Sequence, residues 1–130
     1  MKYPTEIIVR GYHLDFYGHV NNARYLEFLE EARWDYYGDE IFSGFFKKNE
    51  LSFVVVNINI NYRRIATLNQ HLILETSVKK VSTRSITLYQ KIFLKDDNTL
   101  ISDADVTFVM LDKTGKVVRI DGELKEIFVK

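Results

Sequence analysis

Asp15-Phe16-Tyr17-Gly18-His19-Val20-Asn21-Asn22-Ala23-Arg24-Tyr25 joins a chemically rich loop to the start of a helix. Asn21 and Asn22 are helix-capping residue types. From about Asn22 to Tyr37 the side chains of Tyr25, Phe28, Leu29, Ala32 and Tyr36 recur at steps of three and four, which predicts a helix with one apolar stripe. Leu26 widens that stripe, and Gly38 is a natural stop. A helix N-terminus offers free backbone N–H groups and a partial positive charge, so it can hold a carbonyl oxygen that becomes negative during reaction. Asp15 lies a few residues upstream, where a carboxylate can attack that carbonyl or deprotonate a water. The stretch therefore has the parts of an acyl-transfer site.

Upstream, Ile7-Ile8-Val9 reads as a first strand ended by Gly11, and Tyr12 to Val20 form the loop that carries the site. Downstream, Ile41 to Lys48 reads as a short second helix or turn in which Phe42, Phe45 and Phe46 supply apolar contacts. The period then changes to two. Val56, Ile58, Ile60 and Tyr62 alternate with Asn57, Asn59, Asn61 and Arg63, which predicts a strand with one buried face. Leu72, Leu74, Thr76 and Val78 repeat the pattern, and further strands are expected at about Ser85 to Leu94 and Leu100 to Leu111. Asp96-Asp97-Asn98 and Asp112-Lys113-Thr114-Gly115 mark the turns. Val117 to Ile120 reads as one more extension, and Glu123 to Phe128 as a short helix or a final strand.

One strand, one long helix and a run of antiparallel strands make an α+β pattern. A single helix covers one face of such a sheet. The edges and the other face need cover, often from another subunit, so a homo-oligomer is expected.

The chain has 130 residues, which predicts a single domain over 1–130. A domain of this size buries roughly two-thirds of its unfolded surface. It has no cysteine, which excludes disulfides, thiolate zinc sites and cysteine nucleophiles and fits a reducing compartment. Its 18 basic and 18 acidic residues balance, so no general attraction to nucleic acid or to an anionic membrane is indicated. Met1 to Glu6 lacks the apolar stretch of a signal peptide, and the apolar run Phe53-Val54-Val55-Val56 is too short to span a bilayer. A soluble cytoplasmic protein is expected. Its 8 tyrosines and 9 phenylalanines suit an apolar ligand pocket, an ordinary core or a subunit interface equally.

Asp15, then Gly18-His19-Val20-Asn21-Asn22, Tyr25, Glu30 and Arg33 form an ordered signature that resembles the hotdog-fold acyl-CoA thioesterases, the 4-hydroxybenzoyl-CoA thioesterase-like family. Tyr62-Arg63-Arg64 and Thr107 to Asp112 with Gly115-Lys116 extend the similarity over most of the chain. Departures from the family pattern fall at His13, Ile65, Asn69-Gln70 and Asp121, none of them at the presumed nucleophile or base. The resemblance implies an antiparallel sheet wrapped around one long central helix. It also implies an acyl-CoA thioester hydrolase needing no metal or organic cofactor, since water is the second substrate. The minimum unit would be a homodimer, often paired into a homotetramer, with active sites at the subunit interface. An acyl-CoA-binding protein without turnover and a hotdog hydratase or dehydratase are the alternatives.

Carried onto this sequence, the resemblance makes Asp15 the nucleophile or general base, and the backbone N–H near Asn22 the donor to the thioester oxygen. Asn21 is expected to cap the helix. His19 can orient Asp15, bind the carbonyl or position water; otherwise it is a loop histidine bonded to backbone. His13 is expected at a strand edge facing solvent. Tyr25 is close enough to the helix start to reach the substrate. Arg63 and Arg64, expected on opposite faces of a strand, are candidates for the phosphates of coenzyme A, with Lys79, Lys80 and Arg84 as further cations. Glu30 and Arg33 are spaced to pair on the helix.

Overall fold

The computed structural model describes residues 4–129, apart from the side chains of residues 41 and 42. The N-terminal reading at Met1 to Tyr3 and the apolar contact expected of Phe42 lie outside the described residues. The elements run β1 (Thr5–Ile8), a 3-10 turn (Gly11–His13), α1 (Asn22–Phe42), α2 (Phe45–Lys48), β2 (Ser52–Tyr62), β3 (His71–Val81), β4 (Ile86–Leu94), β5 (Leu100–Leu111) and α3 (Gly122–Val129). The five strands form one antiparallel sheet in the order β1-β3-β4-β5-β2. β1 pairs antiparallel with β3, Thr5 opposite Leu74 and Ile8 opposite His71. The α+β class read from the sequence is the class observed. No described helix is long and apolar enough to cross a membrane.

Four local readings change. α1 runs past Gly38 to Phe42. A helical glycine costs about 1 kcal/mol, and the burial of Tyr37 against Phe46, Phe53 and Phe128 offsets it. Leu26 is 37% exposed and does not widen the stripe. Val117 to Ile120 is not a strand: Val117 makes one isolated bridge to Leu111, and the next N–H groups go to Met110 and Thr83. β2 differs from the expected half-buried strand, because Val54, Val55, Val56, Ile58 and Tyr62 are all exposed in this chain. It is a terminal strand of the sheet, so no strand among the described residues pairs with its outer edge.

The chain forms two compact units. The first comprises Met1–Tyr36, Ile60–Thr76 and Gln90–Ala104. Its centre is Gln90 on β4, which is fully buried. The Gln90 amide donates through Nε2 to the Leu29 carbonyl and to Thr76 Oγ1, both at 3.0 Å, and its Oε1 accepts from Arg33 at 3.1 Å. Thr5 adds a 2.6 Å bond to Asp35. These bonds fix the first part of α1 on strands of the same unit. The second unit, Tyr37–Asn59, Ser77–Tyr89 and Asp105–Lys130, is built on rings. Phe46 meets Phe53 at 5.0 Å and stacks on Phe128 at 5.9 Å, while Phe53 meets Phe108 edge-on at 4.8 Å.

Candidate functional site

The loop before α1 is a tight hairpin. Leu14 and Val20 form an antiparallel bridge, and His19 bridges to Thr67. The Asp15 N–H donates to the His19 carbonyl at 2.8 Å, and the Gly18 N–H to the Asp15 carbonyl at 3.1 Å. Gly18 turns the chain at φ +78°, a conformation that favours glycine because a Cβ there meets its own backbone. The loop closes on the Asp15 side chain. Its Oδ1 accepts the N–H groups of Tyr17 (2.9 Å) and His19 (3.2 Å). Asp15 thus makes an Asx-turn, the ordinary role of a loop carboxylate, and that turn uses one of its two oxygens. Among the described residues Oδ2 has no protein donor.

The helix start is as economical. The Asn21 N–H goes to the His13 carbonyl, the Asn21 side chain caps the Ala23 N–H at 2.9 Å, and the Asn21 carbonyl accepts the Arg24 N–H at 2.8 Å. The Asn22 N–H is passed over: it has no acceptor among the described residues. On the other side, Tyr62 donates its hydroxyl to the Asn22 carbonyl at 3.2 Å. Its ring lies 5.5 Å from that of Tyr25. Burial pushes the Tyr25 phenol above its ordinary pKa, and neighbouring Tyr62 and Asp15 add to the rise. Tyr25 is therefore a neutral O–H group at neutral pH.

Asp15, His19, Asn22, Tyr25, Arg63 and Arg64 all line one open cleft of about 400 Å³, together with Val20, Tyr62 and Ile65. All six candidates named from the sequence meet there. Their detailed roles in the geometry differ from several expectations. His19 orients Asp15 through its backbone N–H, and its ring has no hydrogen-bond partner among the described residues. His13 is buried, not solvent-facing: Nδ1 accepts the Arg10 N–H at 2.8 Å, and the ring stands edge-on to Phe28 at 5.0 Å. Glu30 and Arg33 do not bond to each other; Glu30 accepts from the Trp34 indole, and Arg33 turns to Gln90. Lys79 pairs with Asp105, and neither it nor Lys80 nor Arg84 lines the cleft.

The N–H groups of Arg63 (2.9 Å) and Arg64 (3.1 Å) both donate to the Ile101 carbonyl, a β-bulge just beyond β2, and both residues line the cleft. Asp103 on β5 is a site residue that the sequence pattern does not single out. Asp103 accepts from Arg63 at 3.1 and 3.2 Å and from Asn61 at 3.1 Å. Its alternation with Ala104 and Val106 on β5 marks no special role, so only the bulge reveals it.

A five-stranded antiparallel sheet with one long helix is the hotdog arrangement, and Asp15 shares a cleft with Asn22 at the start of that helix. The family model of the thioesterase-like superfamily matches residues 9–128, and the chain belongs to that family. It is 49% identical over 123 residues to the long-chain acyl-CoA thioesterase FadM of Escherichia coli, covering 94% of this chain and 93% of that one. It is 33% identical over 115 residues to the acyl-CoA thioesterase YbgC of Haemophilus influenzae, covering 85% and 82%. The crystal structure of YbaW, a probable thioesterase from Escherichia coli, superposes with a TM-score of 0.87 at 46% identity over 98% of this chain and 99% of that one.

Proposed function

We propose that this acyl-CoA thioesterase hydrolyses its substrate with Asp15 and the Asn22 backbone N–H as the reacting pair. The unused Asp15 Oδ2 and the unused Asn22 N–H on one cleft are the observation that carries this reading. The N–H receives the thioester oxygen as negative charge builds on it. Asp15 either adds to the carbonyl carbon, expelling the thiolate and leaving an anhydride for water to open, or takes a proton from the water that adds. Both routes release a carboxylic acid and coenzyme A. His19 and Tyr25 flank the reacting carbonyl, and one of the adjacent arginines Arg63 and Arg64 supplies positive charge towards the phosphates.

The 130 residues act as one catalytic domain in the cytoplasm, where acyl-CoA is made and used. The working unit is a homodimer, with a homotetramer by further pairing. β2 supports this: it is an 11-residue terminal strand with exposed valines, a ready template for a second copy. The relative named for long-chain substrates makes a long-chain acyl-CoA the substrate expected to turn over fastest.

A panel of acyl-CoA thioesters read by free-thiol release tests the proposal. Asp15→Asn should lower kcat at least about a hundredfold, the usual range for losing an acid–base group, with its thermal unfolding unchanged. Near-normal turnover in that variant would end this reading.

A further inference from the structure

We propose that Asp103 is a positioning residue that locks Arg63 into the sheet and leaves Arg64 as the cation that grips the phosphates of the thioester substrate. The inference rests on the hydrolase reading above and assigns different jobs to two adjacent arginines of the same cleft.

Arg63 is not free to bind an anion. Its Nε and one terminal nitrogen both bond Asp103, whose carboxylate is only 10% exposed and also accepts from Asn61. A two-point arginine–carboxylate bond fixes the guanidinium in plane and direction, and it cancels the charge locally. Ser102 Oγ donates to the Asn61 carbonyl at 2.7 Å, so the same stretch of β5 holds β2 on both sides of the clamp. Arg64 has the opposite character. It is exposed, it lines the cleft with Asp15, and its guanidinium has no protein acceptor among the described residues.

The bulge makes this division possible. In a regular strand, consecutive side chains leave on opposite faces. Here Arg63 and Arg64 share the Ile101 carbonyl, and both come to the cleft. Arg63 bonded to Asp103 is the peg that sets the bulge, and the bulge aims Arg64. A coenzyme A thioester carries its reacting carbonyl at one end and several phosphate charges at the other. An acid–amide pair and a forked cation along one open cleft match those two ends.

Steady-state kinetics on one long-chain acyl group carried by coenzyme A, and by phosphate-free pantetheine, test the assignment. Arg64→Gln should raise KM for the coenzyme A thioester about tenfold, the loss of a charge-assisted hydrogen bond. Its kcat should stay within about twofold, as expected when ground-state and transition-state binding fall together. Pantetheine kinetics should not move. Asp103→Asn should raise KM for the coenzyme A thioester alone, and the double variant should be no worse than Arg64→Gln. If Asp103→Asn does not fold, Asp103→Glu takes its place, with the same expectation from a misplaced charge.

Equal effects on both substrates would make Asp103 a merely structural residue and overturn the proposal. So would a lower KM on releasing Arg63, or additive losses in the double variant. If wild type hydrolyses both thioesters but does not discriminate between them, this inference fails alone. If it hydrolyses neither, the hydrolase reading fails with it.

Discussion

The two compact units both bury apolar side chains but differ in the polar ones. Thr5, His13, Gln90, Ser102 and Asp103 are the buried polar residues among those described, and all five belong to the first unit, the one with the cleft. The second unit buries Tyr37, Phe46, Phe108, Phe128 and aliphatic neighbours. Apolar burial is strong but non-directional, so it holds a fold without aiming any atom. Hydrogen bonds are individually modest but fix distance and angle, and an unmade one is costly inside a protein. The chain uses rings where it needs stability and hydrogen bonds where it needs aim. Asp15, the Asn22 N–H and Arg64 are each placed by bonds to groups that themselves do no chemistry.

The largest effect that tests this contrast lies in the second unit. Phe46 is 1% exposed and contacts Tyr37, Phe45, Phe53 and Phe128. Phe46→Ala should lower unfolding free energy by about 3–5 kcal/mol, read from urea denaturation. The folded fraction should keep its kcat. A matching fall in kcat per folded molecule would break the division between the units.

A smaller loss of stability but a larger loss of function is expected at Gln90. Gln90→Leu keeps the approximate volume but removes the donor to Leu29 and Thr76 and the acceptor for Arg33. Burial already draws the Arg33 guanidinium below its ordinary pKa, so it tolerates the loss of a partner poorly. Stability should fall by about 1–3 kcal/mol, the usual range for an orphaned buried group. kcat should fall about tenfold or more as α1 loses its fixed seat under the reacting groups. Intact turnover in Gln90→Leu would show that apolar contact alone can aim the helix start.

What the sequence made legible follows the same line. Period and punctuation located α1, β3 to β5 and their turns, because burying one stripe or one face leaves a repeat in the chain. Ala104, Val106, Phe108 and Met110 are all buried as their alternation requires. The cleft's first members were legible because Asp15 to Asn22 are contiguous and carry a family signature. β2 misled because its apolar residues are exposed in this chain, so apolar did not mean buried. Arg63, Asp103 and Gln90 were illegible or misread because their meaning depends on partners at least 14 residues away in sequence. A bulge also interrupts the alternation on which counting relies. His13 was misread for a related reason: its burial comes from a 3-10 turn, which leaves no repeat.

That histidine supplies the smallest and most specific test. Burial holds the His13 imidazole below its ordinary pKa, the Arg24 and Arg10 charges push the same way, and Glu27 opposes them. Its Nδ1 is occupied by the Arg10 N–H, so the neutral ring is the form that fits the turn. The unfolded chain, with a histidine near 6.5, therefore binds this proton more readily than the folded one. Stability is then fully present above the unfolded pKa. It falls as pH drops from there towards the lower folded value, with a slope of at most about 1.4 kcal/mol per pH unit for one proton. His13→Asn keeps an acceptor near the Nδ1 position and removes the titration. Urea midpoints measured from pH 7.5 to 5 should decline less steeply in His13→Asn than in wild type. Parallel curves would mean that the turn tolerates the charged ring, and that this buried polar residue of the first unit is filling space, not holding the loop by a directed bond.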